Sequence, residues 1–234
     1  MTERRNDLGQ PIGAALPGWT ARALPSGVAM EGRWCRIEKL DAARHAQALY
    51  AAYAQAPDGR DWTYMFSGPF ADEGQYIEHA RAAAASRDPL HYAILDGSGT
   101  ACGTAALMRI DPANGTIEVG HIAYAPRLKQ SHAGTEAMFL LMRRVFDELG
   151  YRRYEWKCDS LNAPSRRAAE RYGFRFEGIF RQAVVYKGRN RDTAWYAITD
   201  ADWPALRSAF EAWLAPENFD ANGKQRRSLE ACRA

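Results

Sequence analysis

The sequence predicts one domain of the α/β class with a mixed sheet. Three consecutive strand-like segments, 91–96, 101–110 and 116–125, are separated by short turns and form a meander. The apolar residues of 135–149 then recur at helical spacing, and the strand-like segment 152–158 follows. A strand–helix–strand crossover places its two strands parallel, so the predicted sheet contains both kinds of pairing.

The full predicted order is β-α-α-β-β-β-α-β-α-β-β within a domain spanning 31–215, preceded by an irregular N-terminal arm (1–30) and followed by a loose polar C-terminal tail (216–234). The remaining elements are a first strand at 34–38, a helix at 42–55 capped by Asp41, an aromatic loop at 61–70, a helix at 72–86, a helix at 164–172, a long hairpin at 174–186 and 191–198, and a last helix at 203–214.

Composition excludes several classes of protein. The net charge of +3 is too small to indicate a nucleic-acid partner, and no Lys/Arg-rich block alternates with aromatic residues. The four cysteines lie far apart without metal-ligand spacing, which argues against a zinc site or a disulfide framework. The N-terminus lacks an apolar signal region, and no apolar run approaches membrane-spanning length. We therefore expect a cytoplasmic protein that binds no metal, nucleic acid or membrane.

Three segments resemble the GNAT acetyltransferases, in particular the RimJ/RimL-like branch. They are IEVGHIAYAPRLKQSHAGTEA (117–137), ELGYRRYEWKCDSLNAPSRRAAERYGFRFEG (148–178) and FRQAVVYKGRNRDTAWYAI (180–198). The resemblance implies the GNAT-like acyl-CoA N-acyltransferase fold. It also implies acetyl-CoA as the co-substrate and a primary amine, on a protein N-terminus or a small molecule, as the acceptor.

A loop that opens the helix after 117–124 suits the pyrophosphate of coenzyme A, because free N–H groups and the helix dipole favour an anion there. The resemblance places this role on Lys129, Gln130, Ser131, His132, Ala133, Gly134 and Thr135. Both family glycines are replaced, by Ala133 and Thr135. The alternative is an ordinary loop in which Thr135 caps the helix.

The resemblance also implies that strand 117–124 bulges away from strand 153–158. The pantetheine arm would then bind backbone groups of Ile122, Ala123 and Tyr124. A backbone N–H of Ile122 or Ala123 would hold the thioester carbonyl as charge develops.

Glu118 occupies the strand position at which several GNAT enzymes keep a general base. A lysine amine has a pKa of about 10.4 and an α-amine one of about 7.7–8.0, so a base helps a lysine acceptor more. The alternative interpretation of Glu118 is a surface carboxylate on the polar side of its strand.

The usual tyrosine acid of the family is replaced by Ala169. The resemblance makes Ser165 the candidate proton donor to the coenzyme sulfur and Asn162 a contact to the pantetheine arm. The structural alternative is that Asn162 caps the helix begun by Pro164 and that Ser165 merely lies in its first turn.

The aromatic loop is expected to wall the acceptor pocket through Trp62, Tyr64, Phe66 and Phe70, or else to form a small satellite core. On the C-terminal hairpin, Arg181 and the Arg191–Asp192 pair favour a structural salt bridge over catalysis.

Two functions remain open from the sequence. One is an N-acetyltransferase that transfers the acetyl group directly in a ternary complex. The other is a catalytically weak acyl-CoA-binding sensor or scaffold, suggested by the replaced glycines and Ala169. The sequence leaves open a monomer or a homodimer.

Overall fold

The computed structural model describes residues 4–233. The helices are α1 (Ala42–Tyr53), α2 (Glu73–Ala85), α3 (His132–Arg143), α4 (Ala163–Arg171) and α5 (Trp203–Leu214). The strands are β1 (Arg4–Arg5), β2 (Pro11–Ile12), β3 (Met30–Glu31), β4 (Cys35–Lys39), β5 (Leu90–Asp96), β6 (Ala101–Asp111), β7 (Thr116–Tyr124), β8 (Arg153–Asp159), β9 (Arg175–Tyr186) and β10 (Arg189–Thr199).

Eight strands form one sheet in the order β3-β4-β5-β6-β7-β8-β10-β9. Within the described part of the chain, β7 and β8 are the one parallel pair of this sheet, and its other neighbouring strands are antiparallel. The predicted element order and the parallel central pair are therefore confirmed. Three short strands of the described residues were not predicted: β1 and β2 pair with each other inside the N-terminal arm, and β3, which begins at the last residue of that arm, pairs with β4.

Helices cover both faces of the sheet. The first six residues of β5 are all buried, which requires packing on both of its sides. Helices α1 and α2 pack on each other and on β6 and β5, whereas α3 packs on β3, β4 and α5.

The predicted start of the central helix needs correction. Helix α3 begins at His132 rather than Thr135, because the Ser131 hydroxyl accepts the amide of Gly134 at 3.0 Å and caps the helix there. A π-helical turn, Arg144–Glu148, continues α3. By contrast, Asp41 caps α1 as predicted, since its carboxylate accepts the amides of Ala43 and Arg44.

The terminal segments pack on the domain. In the arm, Trp19 Nε1 donates to the Ala113 carbonyl at 2.8 Å, and Tyr151 Oη donates to the Ala23 carbonyl at 3.1 Å. After α5, the Asn218 side chain donates to the Trp213 carbonyl at 2.9 Å and accepts the Arg227 amide at 2.9 Å. The prediction of a loose C-terminal tail is wrong for the residues described. Residues 1–3 and 234 of the predicted terminal segments lie outside them.

A buried carboxylate joins α3 to the edge of the sheet. Glu136 accepts the backbone amides of Arg33, Trp34 and Cys35 at 2.7, 2.7 and 2.9 Å. Gly32 is part of this contact, because a side chain on Gly32 would overlap the Glu136 carboxylate. The turn between β3 and β4 is thus fixed by a side chain about a hundred residues away.

We predict that Glu136→Gln lowers the free energy of unfolding by about 3 kcal/mol, because an amide NH₂ would face buried N–H donors and the charge-assisted bonds would be lost. Urea denaturation of both proteins measures the difference. Glu211→Gln, which removes only an exposed ion pair with Arg207, is the control and should change stability by less than about 1 kcal/mol. Equal losses in the two variants would contradict the role given to Glu136.

A pair of histidines links β5 to β7. The rings of His91 and His121 lie 5.0 Å apart. Burial lowers the pKa of His91 to about 4, and His121 and His79 add to the shift. His91 is therefore neutral in the folded protein at neutral pH.

Because the pKa of His91 is lower in the folded chain than the value of about 6.5 expected when unfolded, its contribution to stability is complete above pH ~6.5 and is lost as the pH falls toward 4. We expect this loss to approach about 1.4 kcal/mol per pH unit near the middle of the window, at about pH 5, where the unfolded histidine is protonated and the folded one is still neutral. Thermal unfolding of the parent and of His91→Gln between pH 7 and pH 4 should show a flatter profile for the variant. Superimposable profiles would exclude His91 as the source.

Candidate functional site

The two parallel strands at the centre of the sheet diverge. Residues Thr116–Val119 of β7 pair with Arg153–Trp156 of β8, and the pairing stops there. On the other side of β7, Gly120 pairs with Ala106 and Ala123 with Thr104. His121 and Ile122 therefore face a single residue of β6, which is a β-bulge.

The backbone of His121 accounts for the bend. Its φ is +48°, in the left-handed region that non-glycine residues rarely adopt. Such a conformation costs about 1–3 kcal/mol and persists only where the surrounding structure holds it. The bulge expected from the family resemblance is present at this point of β7.

A cleft of about 1270 Å³ opens between the diverging strands. Most of the predicted site residues line it: Glu118, Ser165, Ile122, Ala123, Tyr124, Lys129, Gln130, Ser131, His132, Gly134, Thr135, Asn162, Trp62, Tyr64 and Phe66. Ala133 and Phe70 do not, because Ala133 packs on the core and Phe70 packs on Trp62 and Tyr76.

The loop before α3 presents free backbone donors. Gln130 has a φ of +54°, and Ser131 caps the helix. Within residues 4–233, the amides of Gln130, His132 and Ala133 have no hydrogen-bond acceptor. Gly134 permits the close packing of this turn, since a Cβ there would lie 2.5 Å from the Leu128 carbonyl oxygen. The arrangement suits an anion at a helix N-terminus.

The C-terminal segment completes this end of the cleft. His132 Nε2 lies 2.9 Å from the Gly223 carbonyl oxygen, which can only accept, so the proton of this hydrogen bond is on Nε2. The ring of His132 also packs 4.0 Å from that of Phe219. Lys224 and Arg171 join Lys129 in the lining, and Arg171 donates to Thr135 Oγ1 at 3.2 Å. Sequence reasoning missed residues 223–225, because a polar segment gives no sign of its docking place.

Glu118 is buried, at 4% exposure, and opens on the cleft. Lys157 Nζ lies 2.9 Å and Arg109 Nε 3.0 Å from Glu118 Oε2, and Lys157 also contacts Glu155 Oε2 at 2.7 Å. Burial raises the pKa of Glu118, although Lys157 and Arg109 oppose the shift. The interpretation of Glu118 as a surface carboxylate is therefore wrong. The two cations were not predicted, because they come from neighbouring strands.

Ser165 and Asn162 lie at the start of α4. Asn162 Oδ1 accepts the Ser165 amide at 3.1 Å, so Asn162 caps the helix as its structural alternative predicted. Trp156 Nε1 donates to Ser165 Oγ at 3.0 Å. This bond occupies an acceptor position of the hydroxyl and leaves its proton available for donation. The Asn162 amide nitrogen stays available because the cap uses only the oxygen.

The aromatic loop divides between two roles. Trp62 packs edge-on against Tyr53 and Phe70, with ring centroids 5.4 and 5.2 Å apart, as in a satellite core. Trp62 also borders the cleft, whereas Tyr64 and Phe66 line it without joining this aromatic cluster. The Tyr64 hydroxyl donates to the Leu161 carbonyl at 3.2 Å and so brings the loop against the turn after β8.

The hairpin of β9 and β10 holds this loop in place through side-chain hydrogen bonds. Lys187 Nζ donates to the Trp62 carbonyl at 2.8 Å, and Arg189 Nη2 donates to the Thr63 carbonyl at 2.6 Å. One wall of the cleft is therefore held by side chains from more than a hundred positions later in the chain.

The salt bridge expected on this hairpin is absent among the described residues. Asp192 accepts the Gln182 amide at 2.7 Å and the Asn190 side chain at 2.9 Å, and neither Arg181 nor Arg191 forms an ion pair with it. Strand alternation explains this, because adjacent residues point to opposite faces. Arg191 is directed into the cleft.

Residues 4–233 contain neither a metal-site cluster nor a membrane-spanning helix. No cluster of three or more His, Cys, Asp or Glu side chains has the arrangement of a metal site. No helix in this range combines the length and the apolar character needed to cross a membrane.

Comparison with known proteins identifies the family. Residues 36–175 match the family model described as "Acetyltransferase (GNAT) domain". A GCN5-related N-acetyltransferase from Brucella melitensis is 51% identical, with a TM-score of 0.91 over 93% of this chain and 99% of that chain. A structure from Chromobacterium violaceum, described as a probable acetyltransferase of the GNAT family, is 39% identical, with a TM-score of 0.77 over 83% of this chain and 98% of that one.

Among curated proteins, the "Putative ribosomal N-acetyltransferase YdaF" of Bacillus subtilis is 29% identical over 105 residues, 45% of this chain and 57% of that protein. An N-acetyltransferase of the same organism, YnaD, is 27% identical over 38% of this chain and 51% of that protein. The match thus spans little more than half the length of these curated relatives. The family model covers more than half of the chain, and the chain belongs to the GNAT acetyltransferase family.

Proposed function

We propose that the protein transfers the acetyl group of acetyl-CoA to a primary amine, by direct attack of the amine while both substrates are bound. The observation that carries this proposal is the divergence of β7 and β8 after Val119 and Trp156, which leaves an open cleft in the middle of the sheet.

The residues present fit coenzyme A. Free amides before α3, with Lys129, Arg171 and Lys224 nearby, suit its phosphates. The backbone of Ile122–Tyr124 runs along the opened edge of β7, where an amide-bearing arm can bind as a strand would. When bound, acetyl-CoA supplies the activated acyl group and a thiol leaving group.

Glu118 is the proposed general base. Its buried carboxylate faces the cleft, and its pKa is raised, which makes it a better proton acceptor than an exposed glutamate. It would take a proton from the acceptor amine, directly or through a water molecule. Lys157 and Arg109 hold the carboxylate in place at Oε2.

Ser165 is the proposed proton donor to the leaving sulfur. The indole N–H of Trp156 fixes the hydroxyl oxygen and leaves the hydroxyl proton to be donated. Asn162 would bind the pantetheine arm through its free amide nitrogen. A backbone N–H of Ile122 or Ala123 would stabilise negative charge on the acyl oxygen.

The acceptor is a protein N-terminal α-amine or a small-molecule amine. The name of the Bacillus subtilis relative, which refers to ribosomal acetylation, supports the first. The second candidate function is an acyl-CoA sensor with weak catalysis, favoured by the replacement of the usual tyrosine acid by Ala169, which is fully buried.

Titration calorimetry with acetyl-CoA, combined with thiol release in the presence of a panel of amines, tests the function. We expect saturable binding and amine-dependent release of free coenzyme A. Binding without release for any amine would support the sensor. Absence of binding would reject both functions, since each requires the cleft to hold the coenzyme.

For a lysine-like acceptor, we expect Glu118→Gln to lower kcat/KM by about 100-fold or more at neutral pH, since general base catalysis typically contributes 10²–10⁴-fold. The deficit should shrink as the pH approaches the pKa of the amine. In the parent, the acidic limb of the profile should lie above the ordinary pKa of glutamate, because the pKa of Glu118 is raised.

Glu177→Gln removes an exposed carboxylate paired with Arg153 and serves as the matched control, with activity expected near that of the parent. A Glu118→Gln profile parallel to that of the parent at every pH would remove Glu118 from proton transfer.

A further inference from the structure

Arg191 is a buried cation without an anionic partner. The residue is 7% exposed, and its Nε donates a hydrogen bond to Thr193 Oγ1 at 3.2 Å. Among residues 4–233, no carboxylate oxygen lies within 4.0 Å of its guanidinium, and its terminal N–H groups have no acceptor. Burying a charge is costly unless it is paired, so this arrangement needs an explanation.

Arg191 lies at the part of the cleft that is bordered by the aromatic loop, where we expect the acceptor to bind. It lines the cleft two residues before Thr193, which pairs with Asp159 at the last position of β8. It therefore lies past the point where β8 separates from β7. The aromatic loop forms the wall there, with the guanidinium carbon 5.2 Å from the ring centroid of Phe66.

Two aromatic rings lie beside the guanidinium. Besides Phe66, the ring of Tyr186 lies 6.0 Å from its central carbon. Aromatic rings beside a guanidinium restrict its rotation, and its unbonded N–H donors stay available to an anion. A fork held in this way matches a carboxylate, which accepts two parallel hydrogen bonds.

The neighbouring carboxylates are already engaged. Asp159 is buried, but its Oδ2 accepts the Tyr186 hydroxyl at 2.8 Å and its Oδ1 accepts the Leu161 amide at 2.9 Å. Glu118 is paired with Lys157 and Arg109. An anion for Arg191 must therefore come with a bound molecule.

We propose that Arg191 binds a carboxylate of the acceptor, so that the acceptor is a primary amine that also carries a carboxylate. This inference rests on the proposed acetyl transfer and narrows its acceptor. The carboxylate belongs either to a free amino-acid-like amine or to an acidic side chain near the N-terminus of a peptide, because both offer the same planar anion.

Matched pairs of acceptors test the proposal. One arm compares free amino acids with their amides, and the other compares peptides that begin with acidic residues with their Gln or Asn counterparts. We expect the parent to prefer the carboxylate member of at least one pair by about 10- to 100-fold in kcat/KM, mostly through KM, as a charge-assisted bidentate contact allows. The arm with the larger preference identifies the source of the carboxylate.

The variants separate Arg191 from other causes. Arg191→Met should abolish the preference, leaving the rate with the amide member and the KM for acetyl-CoA close to those of the parent. Arg191→Lys should restore part of it, because lysine keeps the charge but loses the fork. Arg181→Met, on the same hairpin but outside the cleft, should keep the full preference.

Several results would overturn the proposal: equal use of both members of every pair by the parent, an unchanged preference in Arg191→Met, or a loss in that variant confined to the KM for acetyl-CoA. If the Arg191 variants unfold in thermal melts, the comparison of carboxylate and amide acceptors in the parent still tests the proposal, because equal use of both would contradict it. If no amine supports turnover, calorimetric titration of the same pairs into the parent tests carboxylate binding separately from the proposed function.

Discussion

The loss of backbone pairing between β7 and β8 is the constraint on which the site depends. In a continuous sheet these strands would bond along their full length and leave no room between them. The left-handed backbone of His121 adds a residue to β7 against β6 and turns the strand away from β8. The protein thus gives up several interstrand hydrogen bonds and accepts local strain to create an interior edge.

Because of this opening, side chains on both faces of the sheet can reach the same cleft. Neighbouring residues of β8 point in opposite directions, so Lys157 contacts Glu118 on one face while Trp156 contacts Ser165 on the other. In an unbroken sheet, the backbone would separate these groups. Where the strands part, a proton acceptor and a proton donor can act on one bound molecule from opposite sides, as the proposed transfer requires.

The sequence predicts what local patterns encode. The meander, the amphipathic helix and the strand after it predict the parallel pair, and the resemblance to the GNAT acetyltransferases makes Glu118 and the loop at 129–135 candidate site residues. Contacts between distant segments have no local signature. Lys157 contacts Glu118 because β7 and β8 are paired. Gly223 contacts His132 because the segment after α5 folds back onto the start of α3. In the sequence, Arg191 suggests an ion pair with its neighbour Asp192. In the structure, the alternation of side chains along β10 places the two on opposite faces of the strand.

The packing of the last eighteen described residues on the domain determines how far the protein can be shortened for expression. The Asn218 side chain holds this segment through hydrogen bonds to the backbone of Trp213 and Arg227. The Gly223 carbonyl accepts a hydrogen bond from His132, next to the free amides at the start of α3. A recombinant fragment cut to the span of the family model would lack this wall, as well as the hairpin that fastens the aromatic loop.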